Sequence, residues 1–314
     1  MTSNIAFIFP GQGSQTVGMG KDICAHHPTA RFIFAEADEA LERSLSTMCF
    51  EGSDAELSLT INTQPAIVIT SLALYKCFTE KGGPQAAFVA GHSVGEYAAL
   101  AAAGVVSVQD VVQLVDRRAN LMDNACPAGT GGMAALIGLN RPQVEDMIES
   151  LNLPHQKILD IAGLNCPGQV VVAGDNEAID IAISRVREFG GRMGLKLNVS
   201  GPFHSRLMKP AEDGLIQNLS ETEFSDAVIP VLPNTTAIET TNQEELKSAL
   251  KSQLTRPVLW EDSIRLMLDR GITTFIEFGA GNVLAGMIRK INRQVRVIPV
   301  HNSATLDAAL EELC

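Results

Sequence analysis

Four short apolar runs constrain the fold more than any other feature of the chain. Ile5-Ala6-Phe7-Ile8-Phe9 closes on Pro10-Gly11, and Ala86-Ala87-Phe88-Val89-Ala90 enters Gly91. Thr274-Phe275-Ile276-Glu277-Phe278 enters Gly279-Ala280-Gly281, and residues 295–300 form the fourth run. A strand that is apolar at successive positions has no solvent face, so it belongs in a parallel sheet covered on both sides. Helical patterns at 65–81 and 108–123 lie between these runs. The alternation predicts an α/β, hydrolase-like core with a mostly parallel sheet.

After Gly129-Thr130-Gly131-Gly132 the rhythm changes. Residues 133–139 read as a strand, 142–151 as a helix with Pro142 in its first turn, and 158–163 and 169–173 as two strands. A helix at 176–189, ended by Gly190-Gly191, and a strand at 193–199 complete a βαββαβ order, the ferredoxin-like pattern. We therefore expect a small domain at 130–199 inserted into a core formed by 1–129 and 200–314.

Composition excludes several classes. The chain has 314 residues, 46% hydrophobic and 19% charged, which suits a globular protein with a sizeable core. Its formal net charge of −12 repels polyanions, so neither nucleic acid nor an anionic membrane is an expected partner. Six cysteines, Cys24, Cys49, Cys77, Cys126, Cys166 and Cys314, show no C-x-x-C pair and read as isolated thiols, not a metal or disulfide framework. Met1-Thr2-Ser3-Asn4 has no basic character and the next apolar run stops at Pro10, so no signal peptide is expected. No stretch approaches the ~20 apolar residues of a membrane span. A cytoplasmic location is expected, and the N-x-S/T triplets at Asn198, Asn218 and Asn234 are read as chance.

The sharpest chemical signal is Gly91-His92-Ser93-Val94-Gly95, between an apolar strand and the Ala-rich helix that follows. G-x-S-x-G in that setting is a nucleophile elbow, with Ser93 exposed on a tight turn. The helix start offers the amide of Val94 as an oxyanion donor, and the Gly11-Gln12-Gly13 turn after the first strand offers the amide of Gln12. That glycine-rich turn lacks the third glycine of a dinucleotide fingerprint and the Gly-Lys-Ser/Thr of a P-loop, so no nucleotide cofactor is implied.

A serine nucleophile needs a base. His26 and His27 lie in a polar stretch, His155 in a proline-flanked loop, and His301 after the last strand; each reads as surface or structural. His92 adjoins Ser93, but neighbours at an elbow point apart, so it reads as a support of the turn. His204, in Ser200-Gly201-Pro202-Phe203-His204-Ser205, remains. Arg118 shares an apolar helix face with Leu114, Val115, Leu121 and Met122, where an unpaired charge is costly. It meets either an internal carboxylate or an anionic group of a substrate, while Arg117 falls on the solvated face.

Taken together, these residues resemble a family. Phe9-Pro10-Gly11-Gln12-Gly13-Ser14-Gln15, Gly91-His92-Ser93-Val94-Gly95-Glu96-Tyr97, Arg118 and Pro202-Phe203-His204 look like the malonyl-CoA:acyl carrier protein transacylases, the acyltransferases of fatty acid and polyketide synthesis. The similarity continues through Asn165-Cys166-Pro167-Gly168-Gln169, Gln253-Leu254-Thr255-Arg256-Pro257 and Gly279-Ala280-Gly281-Asn282. The resemblance implies Ser93 as acyl acceptor, His204 as base and acid, and Arg118 holding the malonyl carboxylate. It implies a carbonyl of Gln253 fixing the His204 tautomer, and Phe203 favouring malonyl over methylmalonyl.

It also implies malonyl-CoA and acyl carrier protein as partners, coenzyme A thioester as substrate with no further cofactor, and a free-standing monomer. The basic run at 289–296, with Lys290 and Arg293, is expected to lie on the helix after Gly281. It serves either as a docking surface for an acidic carrier or as an ordinary solvated face. Two rivals share parts of the pattern. An esterase or thioesterase would share the elbow, but it usually places an acid between nucleophile and a late histidine. A non-catalytic docking subunit would have no need of serine, histidine and arginine together.

Overall fold

The computed structural model describes residues 4–127, 129–151, 153 and 157–313; His155 and Cys314 lie outside them. Nine strands are present among the described residues: β1 (Ile5–Phe9), β2 (Phe88–Gly91), β3 (Gly131–Ile137), β4 (Leu159–Cys166), β5 (Gln169–Asp175), β6 (Met193–Lys196), β7 (Val231–Leu232), β8 (Thr274–Phe278) and β9 (Arg296–Val300). Five form a parallel sheet in the order β7-β2-β1-β8-β9. Its two faces explain the apolar runs. Phe7, Phe9, Val89, Ile276 and Phe278 pack into one layer, while Ala6, Ile8, Ala90 and Phe275 pack into the other. β7 was not anticipated; at two residues it is too short to carry a periodicity.

The other four strands form an antiparallel sheet in the order β4-β5-β3-β6. Helices Arg141–Ser150 and Asn176–Arg185 cover one face, with Ala134, Leu136, Val144, Val172 and Ile179 in the layer between. This is the βαββαβ arrangement expected from the sequence. The bounds differ in detail: the first strand lies two residues earlier than expected, at 131–137, β4 runs on to Cys166, residues 186–189 form a 3-10 turn and β6 stops at Lys196, while Gly190 ends the turn in the left-handed region (φ 87°) as expected. The antiparallel sheet is tied to the segment before helix Trp260–Asp269, where the Leu164 amide donates to the Val258 carbonyl and the Val258 amide to the Ala162 carbonyl, both at 2.9 Å.

The helix expected at 65–81 begins earlier, at Thr60, and Pro65 lies inside it. Proline cannot donate to the carbonyl four residues back. Here that carbonyl, of Ile61, accepts instead from Arg43 Nη2 at 3.0 Å, and Arg43 also pairs with Asp116 at 2.7 Å. A side chain from a distant segment repairs the gap, which no local pattern reveals. No helix among the described residues is long and apolar enough to cross a membrane.

Candidate active site

The elbow owes its shape to close backbone packing. β2 runs beside β1, with Phe9 opposite Gly91, and the chain turns at Ser93 into helix Gly95–Ala102. A Cβ on Gly91 would sit 2.0 Å from the Gly95 carbonyl, and one on Gly95 would sit 2.2 Å from the Phe9 oxygen. Only glycine fits either position. Ser93 itself takes a left-handed conformation, φ 51°, which a non-glycine residue adopts only when its surroundings enforce it. Asn234 supplies that enforcement: its Oδ1 accepts from the Ser93 amide at 2.7 Å, and its Nδ2 donates to the Gly91 carbonyl at 2.6 Å.

His204 reaches Ser93 from the loop that follows β6. Its Nδ1 lies 2.8 Å from the Gln253 carbonyl, which can only accept, so the proton sits on Nδ1. Nε2 is then the acceptor for the Ser93 hydroxyl at 2.7 Å. Burial, and next the Arg118 charge, push the His204 imidazole down to about 3, so it is neutral.

Arg118 is fully buried at 0% exposure on helix Val108–Asp123. Its Nη1 donates to Gln64 Oε1 at 2.6 Å, and its Nη2 donates to Gln253 Oε1 at 3.1 Å and to Ser93 Oγ at 3.3 Å. Tyr97 faces the guanidinium at 5.4 Å. Among the described residues no carboxylate forms an ion pair with it, and its Nε has no hydrogen-bond partner. Of the two sequence alternatives, a directly paired internal carboxylate is thus excluded. Arg117 is exposed.

Ser93 and His204 border a cleft of about 230 Å³ between the ends of the parallel strands and the open face of the antiparallel sheet, while Arg118 lies buried behind Ser93 and Gln64. Gln12, Ser93, Val94, Phe203 and His204 line it from the first side, and Met133, Ala162 and Val171 from the second. His92 braces the elbow as expected, with its Nε2 2.9 Å from Asn165 Oδ1 and its ring edge-on to Trp260. Gln64, Asn234 and Glu96 were not singled out from sequence. Asn234, in one of the N-x-S/T triplets read as chance, is buried at the elbow and has no surface role. A carboxylate next to the elbow, inside an otherwise apolar helix, was the signal that could have revealed Glu96. The described residues hold no cluster of three or more His, Cys, Asp or Glu side chains able to grip a metal, and Cys24, Cys49, Cys77, Cys126 and Cys166 are free thiols.

The basic run needs correction. Helix Val283–Ile291 carries Arg289 and Lys290 in its last turn, but Arg293 lies beyond it and Arg296 belongs to β9, where it pairs with Glu312. Asn292, an extended residue, ends the helix and breaks the common face. Lys290 is exposed and reaches Gln169, on the cleft, at 3.2 Å.

Comparison with known proteins gives a consistent result. The acyl transferase domain family matches residues 6–306. The chain is 43% identical to the malonyl CoA-acyl carrier protein transacylase of Bacillus subtilis strain 168, over 99% of this chain and 98% of that protein. It is 39% identical to the transacylase of Escherichia coli K12, over 98% and 99%. The malonyl CoA-acyl carrier protein transacylase of Coxiella burnetii superposes with a TM-score of 0.96 at 35% identity, covering 100% of this chain and 98% of that one. A malonyl-transacylase solved in complex with its type II PKS acyl-carrier protein superposes with a TM-score of 0.95 at 36% identity, covering 99% and 100%. The chain belongs to the acyl transferase domain family, among the malonyl CoA-acyl carrier protein transacylases.

Proposed function

We propose that the chain moves a malonyl group from coenzyme A to the phosphopantetheine thiol of acyl carrier protein, through an ester on Ser93, to supply fatty acid biosynthesis. One observation carries this reading: a buried guanidinium without a carboxylate of its own lies 3.3 Å from a serine oxygen that is hydrogen-bonded to a neutral histidine.

Ser93 Oγ attacks the thioester carbonyl as its proton passes to His204 Nε2, and the Gln253 carbonyl steadies the imidazolium through Nδ1–H. The amides of Val94 and Gln12 receive the oxyanion. Collapse expels the coenzyme A sulfur, which takes the proton from His204. The carrier thiol then repeats the sequence in reverse roles. Arg118 holds the malonyl carboxylate by paired charge-assisted hydrogen bonds. Phe203, against the cleft and next to His204, limits bulk near the acyl α-carbon and favours malonyl over a branched group. All bonds exchanged are acyl bonds to sulfur or oxygen, so the coenzyme A thioester is substrate and no cofactor is required.

We further assign 1–129 with 200–314 to the catalytic core and 130–199 to an insertion, a cytoplasmic location, and a monomeric state. Lys290 and Arg293, both exposed, are our candidates for carrier docking. The test is a panel of malonyl-, methylmalonyl- and acetyl-CoA with holo-carrier protein, with intact-mass detection of the protein adduct. A malonyl adduct on Ser93 that moves to the carrier thiol supports the reading. Release of free malonate faster than transfer would overturn it in favour of a hydrolase.

A further inference from the structure

A buried acid stands behind Arg118 without touching it. Glu96, on helix Gly95–Ala102, is 1% exposed. Its Oε2 accepts from Gln253 Nε2 at 2.7 Å and from the Asn234 amide at 3.0 Å. Gln253 is itself fully buried; its Nε2 also donates to the Ser93 carbonyl at 3.2 Å, while its Oε1 accepts from Arg118 Nη2 at 3.1 Å. One amide group therefore separates a carboxyl from a guanidinium.

The two ends of an amide are nearly the same size, so packing does not choose its orientation; the surrounding donors and acceptors do. Turned over, Gln253 would set its NH2 against the guanidinium donors and its oxygen against Glu96 Oε2 and the Ser93 carbonyl. In a site closed to water each mismatch leaves a polar group unsatisfied. Resting on the malonyl-anchoring role of Arg118, we propose that Glu96 is a positioning residue. It locks the Gln253 amide with its oxygen on Arg118, which holds the guanidinium beside Ser93 Oγ while leaving it free of any internal carboxylate partner. Burial pushes the Glu96 carboxyl up to about 7. The lock works in both protonation states, because Oε2 remains an acceptor when the proton resides on Oε1.

The test is a double-mutant cycle read as the ratio of kcat/KM for malonyl-CoA to that for acetyl-CoA, which has no carboxylate to anchor. Glu96→Met removes the acceptor at similar volume, with Glu96→Ala as a second variant should Met not fold; Gln253→Met removes the amide but keeps the backbone carbonyl. Each single change is expected to lower the ratio about tenfold, and the double variant to fall no further than Gln253→Met, since two residues acting through one contact are not additive. Glu96→Gln keeps an acceptor oxygen and should retain the ratio within about threefold. A purely structural defect would depress both substrates and leave the ratio unchanged, which would overturn the proposal. So would multiplicative losses in the double variant, or an unchanged ratio in Gln253→Met. If the unaltered protein shows no malonyl preference at all, the anchoring role of Arg118 fails instead.

Discussion

Ser93 and His204 both hold left-handed backbone conformations, φ 51° and φ 60°, and meet with Oγ and Nε2 2.7 Å apart. Non-glycine residues adopt that region uncommonly. Ser93 is held there by Asn234, which accepts from its amide, and by the packing of Gly91 and Gly95 against neighbouring backbone, while the carbonyl of Gln253 orients the His204 ring. Strain of this kind persists where the surrounding structure over-determines it, at about 1 to 3 kcal/mol per residue.

The strain at Ser93 can be measured without its chemistry. Ser93→Ala and Ser93→Gly both remove the hydroxyl and should both abolish acyl transfer. Glycine relaxes the φ 51° turn and alanine does not. Ser93→Gly is therefore expected to be more stable than Ser93→Ala by about 1 kcal/mol in denaturant unfolding. Equal stabilities would show that the elbow stores no backbone strain.

The pH dependence of acylation follows from the neutral His204. A base active in its unprotonated form works above its own pKa. Burial, and second the Arg118 charge, push that value down to about 3 from the ordinary 6.5. The acid limb of kcat/KM should thus lie well below pH 6.5, and Arg118→Ala, followed with acetyl-CoA, should move it upward. An acid limb that stays near 6.5 in both proteins would contradict the assignment of His204 as a buried neutral base.

Gln64 tests why Arg118 is surrounded by amides. Its Oε1 lies 2.6 Å from Arg118 Nη1. Gln64→Glu would place a carboxylate there and give the guanidinium an internal partner, in competition with the substrate. A charge-assisted hydrogen bond contributes about 1.5 to 3 kcal/mol, so KM for malonyl-CoA should rise about tenfold or more. Acetyl-CoA kinetics, measured alongside, should change far less.

Much of this site was legible in the chain. The elbow announces itself because two glycines, a serine and an Ala-rich helix are contiguous, and the parallel sheet because its strands are apolar on both faces. Arg118 was visible as a charge on an apolar helix face. What escaped was whatever depends on side chains meeting from distant segments. Asn234 holds the elbow from beyond β7, Gln64 holds Arg118 from a helix whose start is hidden by Pro65, and Arg43 fills the carbonyl that Pro65 leaves open. Polar residues in such roles have no periodicity; only the fold brings their partners within reach.

Glu277 links stability to pH. Its two oxygens accept from the amides of Leu284 and Ala285, at 3.0 and 2.8 Å, at the start of helix Val283–Ile291. Burial nevertheless raises its pKa from 4.5 to about 7. Between those values the folded chain keeps a proton that the unfolded chain has released. This group's contribution to stability is therefore full below about pH 4.5 and is lost as pH rises through about 7. The stability of the unaltered protein minus that of Glu277→Gln, from urea unfolding, should fall between pH 5 and pH 8. A difference that grows with pH would show that the helix amides outweigh burial.

Carrier docking is the last expectation, and here the corrected geometry sharpens the choice of residues. Arg296 is paired with Glu312, a contact that an acidic partner would have to displace. Lys290 is exposed and touches Gln169 across the cleft mouth, and Arg293 is exposed beyond the helix end. Exposed charges act mainly on encounter and are screened by salt. Lys290→Glu with Arg293→Glu should raise KM for acyl carrier protein about tenfold at low ionic strength and leave malonyl-CoA kinetics unaltered. The effect should shrink in high salt, whereas Arg296→Glu should leave KM for the carrier unchanged. Equal losses for both substrates would place the damage in the cleft and not at a docking surface.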